Sequence, residues 1–235
     1  MPKFPTSHDD QLDWFTQLMV RQGSVAQFTI MHERTGRGVC IEMLTAAFAY
    51  RQLDVIKYII PDITICQVDV LTCMCSELFP VKHSLIFAPP RVNPSTRLSI
   101  LKYIHEEGFD IDSNTLECIV LSDDLECSQY ALSACGPDIR SDIVDKGTID
   151  KCIAIIGVRA YLDNLNLCDH VADGNLIYEY ICGLGHKPSV AEYSTALEYE
   201  QLDAFTIICQ YSDVNSLRSE VSDNEIAVMY PFLKV

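Results

Sequence analysis

Gln52-Leu-Asp-Val-Ile-Lys-Tyr-Ile59 and Arg97-Leu-Ser-Ile-Leu-Lys-Tyr-Ile104 are one pattern written twice. Each opens on a polar residue and follows it with a leucine. Each then places apolar residues three to four apart, the spacing that lines one face of a helix. The pattern recurs as Asp124-Leu-Glu-Cys-Ser-Gln-Tyr-Ala131, Thr148-Ile-Asp-Lys-Cys-Ile-Ala-Ile155, Asn175-Leu-Ile-Tyr-Glu-Tyr-Ile-Cys182 and Gln201-Leu-Asp-Ala-Phe-Thr-Ile-Ile208. A fainter copy starts at Ser24. The anchoring apolar residues are Val25, Leu53, Leu98, Leu125, Ile149, Leu176 and Leu202, spaced by 28, 45, 27, 24, 27 and 26. Five of these six intervals fall in one narrow range, so the chain is read as a repeat, and the interval of 45 marks an insertion.

The residues before the anchors explain the unit. Gly23-Ser24, Gly147-Thr148 and Gly174-Asn175 each pair a glycine with a hydroxyl or amide residue. The glycine can end one helix in the left-handed conformation, and the next side chain can accept a hydrogen bond from the first amides of the following helix. Arg51-Gln52, Asp123-Asp124 and Glu200-Gln201 stand in the same place without the glycine, which predicts less ideal turns. A helix pair this short cannot cover its own apolar face and must stack on its neighbours. The expected fold class is therefore all-α: a helical-repeat solenoid of seven helix–turn–helix units over a single domain, residues 1–235. Residues 1–22 are expected as an N-terminal capping helix, 80–95 as a Pro-rich inserted loop and 216–235 as a C-terminal cap with a short helix over 222–229.

The stretch Met43-Leu-Thr-Ala-Ala-Phe-Ala-Tyr-Arg-Gln-Leu-Asp-Val-Ile-Lys-Tyr-Ile-Ile60 resembles the first helix, turn and second helix of the ankyrin repeat. Tyr193-Ser-Thr-Ala-Leu-Glu-Tyr-Glu-Gln-Leu-Asp203 is a weaker copy, and Leu101–Asp112 and Leu184–Pro188 resemble the family's exits from the second helix. The resemblance covers residues 12–215 and is degenerate. The family's Thr-Pro-Leu-His tetrapeptide is absent, and the units are shorter than its usual length of about 33 residues. It implies ankyrin-like units with reduced or absent β-hairpins and a protein-binding role. Divergent, cysteine-rich, short-unit arrays of this kind resemble those encoded by large DNA viruses, which implies a host-interaction or immune-modulating factor in the host cytoplasm. Some viral members end in an F-box-like motif; the tail Asn224–Val235 lacks it.

Composition sets the boundaries of this reading. Apolar residues make up 49% of the chain, enough to build a core, while the longest apolar runs are far too short to span a bilayer. The opening Met1–Asp10 turns acidic where a secretion signal would turn apolar, so a cytoplasmic protein that does not bind membranes is expected. Eleven cysteines are an odd number, and Cys118, Cys127, Cys152, Cys182 and Cys209 occupy helical positions suited to small apolar residues, so free thiols are expected. Residues 1–110 carry 10 basic and 12 acidic side chains, whereas 111–235 carry 7 and 21. That second-half field repels phosphate backbones, arguing against nucleic acid, and would attract a partner with a basic surface; the alternative is that the acidity only keeps the protein soluble.

The insertion between Leu53 and Leu98 contains an apolar helix, Val68–Phe79, and then Pro80-Val-Lys-His-Ser-Leu-Ile-Phe-Ala-Pro-Pro-Arg-Val-Asn-Pro94, whose four prolines forbid a regular helix. Long irregular loops are often functional, and Lys82, Phe87 and Arg91 are the residue types that anchor interfaces, so these three are the expected partner-binding residues. A tolerated insertion without a role is the alternative. No P-loop, nucleophile elbow, zinc-protease helix or complete dinucleotide fingerprint occurs. Cys66, Cys73, Cys75 and His83 match no standard zinc spacing and are read as buried in or beside a helix. The acidic pairs Asp123-Asp124 and Glu106-Glu107 are read as solvated helix ends. The expectation is a protein–protein interaction module with no enzymatic activity, no cofactor and no metal. The alternatives are an acidic decoy of a nucleic-acid-binding protein, and an enzyme or metal protein with a site between repeats.

Overall fold

The protein is described from a computed structural model, over residues 23–35, 39–63, 66–79, 94–122, 124–140, 148, 149, 151, 153, 174–198, 201–213, 216 and 217. Among these residues it is all-α, with no strand. No helix among them is long and apolar enough to cross a membrane. The chain splits into two compact units, Met1–Ile111 and Asp112–Val235. The division falls where the charge balance changes from near neutral to strongly acidic.

The first unit contains α1 (Val25–Thr35), α2 (Ile41–Ala49), α3 (Leu53–Ile59, continued by a 3-10 turn over Ile60–Asp62), α4 (Gln67–Leu78) and α5 (Pro94–Glu106). Helix α3 packs on α1 and α5, while α2 packs on α3 and α4. The buried faces are those that the quoted octapeptides predict: Val55, Ile56 and Ile59 on α3, and Ile100, Leu101 and Ile104 on α5. Leu44, Ala47 and Phe48 of α2 and Val70, Met74 and Leu78 of α4 complete the core. Helix α4 matches the apolar helix expected in the insertion, except that Val68 faces solvent. Pro94 opens α5, a position where its missing N–H costs nothing.

One turn geometry recurs in both units. After α2, Arg51 takes φ 55°, its N–H donates to the Phe48 carbonyl at 3.0 Å, and the Gln52 N–H reaches back to the Ala47 carbonyl at 2.9 Å. This is the Schellman closure of a helix, normally built on glycine. It recurs after α5 at Gly108, φ 90°, through Gly108 N–H to His105 and Phe109 N–H to Ile104. The turn without glycine is thus well formed at Arg51, and the arginine carries the strain of the left-handed region.

The second unit contains α6 (Ser113–Leu121), α7 (Leu125–Ala134), α8 (Gly174–Gly183), α9 (Val190–Glu198) and α10 (Leu202–Tyr211). Asp112 caps α6 by accepting from the Thr115 N–H at 2.8 Å, and Asp124 caps α7 by accepting from the Cys127 N–H at 3.1 Å. Asp124 is therefore a buried cap and not the solvated acid expected from the sequence, because its carboxylate is turned back onto its own helix. Helix α8 closes at Gly185, φ 105°, by the same pair of bonds, and the Gln201 N–H to Ala196 carbonyl bond, 2.8 Å, joins α9 to α10. Helix α6 packs on α7, α9 on α10, and α8 on both α10 and α7. A strict nearest-neighbour stack would put the helix anchored at Ile149 between α7 and α8, so their direct packing is a departure from the simplest array.

These turns yield a paired prediction. A Cβ on Gly185 or Gly136 would meet nothing within 4 Å, so only backbone conformation separates the two sites. Gly185→Ala should cost about 1 kcal/mol through its positive φ, whereas Gly136→Ala should be neutral or stabilising by up to about 1 kcal/mol. Urea denaturation of both variants reads the difference, and equal effects would contradict the turn assignment.

Candidate functional site

A buried cluster of polar side chains in the second unit is built on a capping sequence, Ser189-Val-Ala-Glu192. Ser189 Oγ accepts from the Glu192 N–H at 3.2 Å and starts α9. The Glu192 carboxylate, 4% exposed, receives Tyr178 Oη at 2.8 Å, His186 Nε2 at 3.0 Å from both oxygens, and Ser189 Oγ at 3.2 Å. Tyr178 lies on α8 and His186 in the exit turn that Gly185 makes, so one carboxylate ties α8, its exit and the start of α9 together.

Burial, reinforced by the Glu192 charge, pushes the Tyr178 phenol far above its ordinary range and the Cys182 thiol up to about 12. A thiol moved in that direction is a poorer nucleophile, and three donors already converge on the carboxylate, so the cluster acts as a structural lock. It also sets an alkaline limit. Tyr178 and Cys182 are neutral when protonated, and their folded pKa values lie above the ordinary 10.0 and 9.0. The stability they confer is complete below pH about 9 and is lost as pH rises towards 12. Denaturation midpoints should fall steeply over this range, and Tyr178→Phe should flatten the fall. A pH-independent midpoint between 9 and 11 would refute this.

A second feature, found within each unit separately, is the side-by-side placing of helix starts. In the first unit, a Cβ added to Gly23 would run into the Gln52 amide, so the turn before α1 lies against the turn before α3. In the second unit Asn175 Nδ2 donates to Asp203 Oδ2 at 3.3 Å, which sets the starts of α8 and α10 side by side. Arg51 Nε, Thr148 Oγ1 and Asn175 Oδ1 are each buried without a hydrogen-bond partner. Each precedes an anchor by one or two residues, and leaving such atoms unsatisfied is costly. The anchors themselves differ. Ile149 is buried, whereas Leu176 and Leu202 are 50% and 71% exposed.

Of the residues singled out from sequence, Lys82, Phe87, Arg91 and His83 lie outside the described residues, as do the expected N-terminal capping helix over 1–22 and the short helix over 222–229. Cys66 is exposed at the start of α4 with its thiol on Asp69 Oδ2 at 3.0 Å, Cys73 accepts from Thr45 Oγ1 at 3.3 Å, and Cys75 is buried. The expectation of burial thus holds for Cys75 and fails for Cys66, which sits at a helix terminus. Among the described residues no group of three or more His, Cys, Asp or Glu is arranged to hold a metal ion. Cys209 is exposed on the outer face of α10, contrary to its reading as a small core residue, while Cys127 and Cys182 are buried as expected. Native thiol titration should accordingly label Cys66 and Cys209 first and leave Cys75, Cys127, Cys135 and Cys182 unreacted until denaturant is added. No family model matches the chain, and neither a curated protein nor a solved structure does.

Proposed function

We propose that each unit is a short stack of degenerate ankyrin-like helix pairs, and that the protein works by binding a partner protein. One observation carries this reading: residues about one sequence period apart touch. His32 Nδ1 lies 3.1 Å from Tyr58 Oη, 26 residues on. Thr45 Oγ1 donates to Cys73 Sγ and Asn175 to Asp203, each 28 residues apart. Across the longer copy, Gln67 Nε2 donates to the Asp110 carbonyl, 43 residues on. These separations follow the sequence period and its single long interval. Contact between neighbouring copies is how a repeat buries faces that no unit covers alone.

The α7–α8 packing makes the second unit less regular than the first. Stacked helix pairs offer extended surfaces for partner proteins, and fold analogy supplies the step from stacking to binding. The test is affinity capture from cell lysate with the full chain at low and high salt. It is followed by re-binding of any retained protein in purified form. Stoichiometric re-binding at micromolar or better affinity supports the module, and the absence of any such protein sinks it.

A further inference from the structure

We infer that the paired starts of α8 and α10 form a docking site for a basic amphipathic segment of a partner protein, with Leu176 and Leu202 as its apolar floor and Asp203 and Glu179 as its acidic rim. The inference rests on the interaction reading above and specifies its site and its partner's chemistry. Single exposed leucines are commonplace. These two, however, occupy the same position in successive copies, and the Asn175–Asp203 bond holds their helix starts side by side. Both side chains are exposed at these paired helix starts, in the half of the chain that carries 7 basic and 21 acidic residues.

The rim supports the same occupant. Asp203 follows Leu202 directly, and Glu179 lies one helical turn beyond Leu176 on the same exposed face. Asn175 Oδ1, on the side chain that bonds Asp203, is buried and lacks a donor. A lysine or arginine arriving at Asp203 brings N–H groups to the place where one is missing. An amphipathic helix laid on these helix starts puts its apolar stripe on the two leucines and its cations on the two acids. Nucleic acid, an acidic peptide and the same face of a second copy of this chain would all meet like charge.

The test uses the full chain and a synthetic leucine–lysine peptide with helical amphipathic spacing, against a scrambled peptide of the same composition. Fluorescence anisotropy should show at least about ten-fold tighter binding of the amphipathic form, equivalent to about 1.4 kcal/mol. The double variant Leu176→Ser/Leu202→Ser, exposed at both positions and checked for unchanged circular dichroism, should lose at least about ten-fold of that affinity. Asp203→Asn should weaken binding and reduce its dependence on salt. Equal binding of the scrambled peptide, or full binding by the folded double variant, overturns the site. The double variant is then offered the purified partner from the capture experiment. Partner binding that survives it overturns this site and leaves the interaction reading standing, whereas failure to find any partner overturns that reading.

Discussion

Phe48→Ala should destabilise the first unit by about 3–5 kcal/mol, enough to leave much of it unfolded at 37 °C. Phe48 is fully buried in α2, the helix that packs on both α3 and α4. Its neighbours on the same face, Leu44 and Ala47, are also fully buried, so the ring has no solvent-facing side from which water could refill the gap. Truncation removes the transfer energy of the ring and leaves a cavity lined by apolar groups. Phe48→Leu keeps most of the volume and should cost about 1.5 kcal/mol or less. Urea denaturation followed by circular dichroism distinguishes the two variants. A loss below about 1 kcal/mol for the alanine variant would show that α2 is not held between α3 and α4 as described.

Much of this core was legible because it repeats. The apolar positions of Gln52–Ile59 and Arg97–Ile104 are buried in the same order in α3 and α5, two helices that pack on each other. The division into two units coincides with a charge boundary that can be counted along the chain. The exposure of Leu176 and Leu202 was not legible. Periodicity shows which residues share a face, but not whether another element covers that face. Asp124 was misread although its signal was present: an aspartate directly before Leu-Glu-Cys is a helix start. The Glu192 lock was half legible. Ser189 and Glu192 stand at capping-box spacing, but Tyr178 and His186 reach the carboxylate only because Gly185 turns the chain back after α8.

Glu192→Ala should cost the second unit about 3 kcal/mol or more, although it deletes no large apolar group. The reason lies in what is left behind. The Tyr178 hydroxyl is buried, as is most of the His186 ring, and both lose their acceptor at once, as does Ser189. The remaining donors would have to stay dry and unpaired or draw water into the core between α8 and α9. Tyr178→Phe is the milder change, since the carboxylate retains two other donors, and it should cost about 1–1.5 kcal/mol. If the cluster is one network, the double variant Glu192→Ala/Tyr178→Phe must lose less than the two single losses added together, because removing the carboxylate has already broken the bond that the phenylalanine deletes. Glu192→Gln keeps an acceptor for Tyr178 but turns donor hydrogens towards donors, placing it between wild type and alanine. Strict additivity in the double-mutant cycle, or an alanine variant within about 0.5 kcal/mol of wild type, would mean that Glu192 faces water and that α9 is held by apolar packing alone.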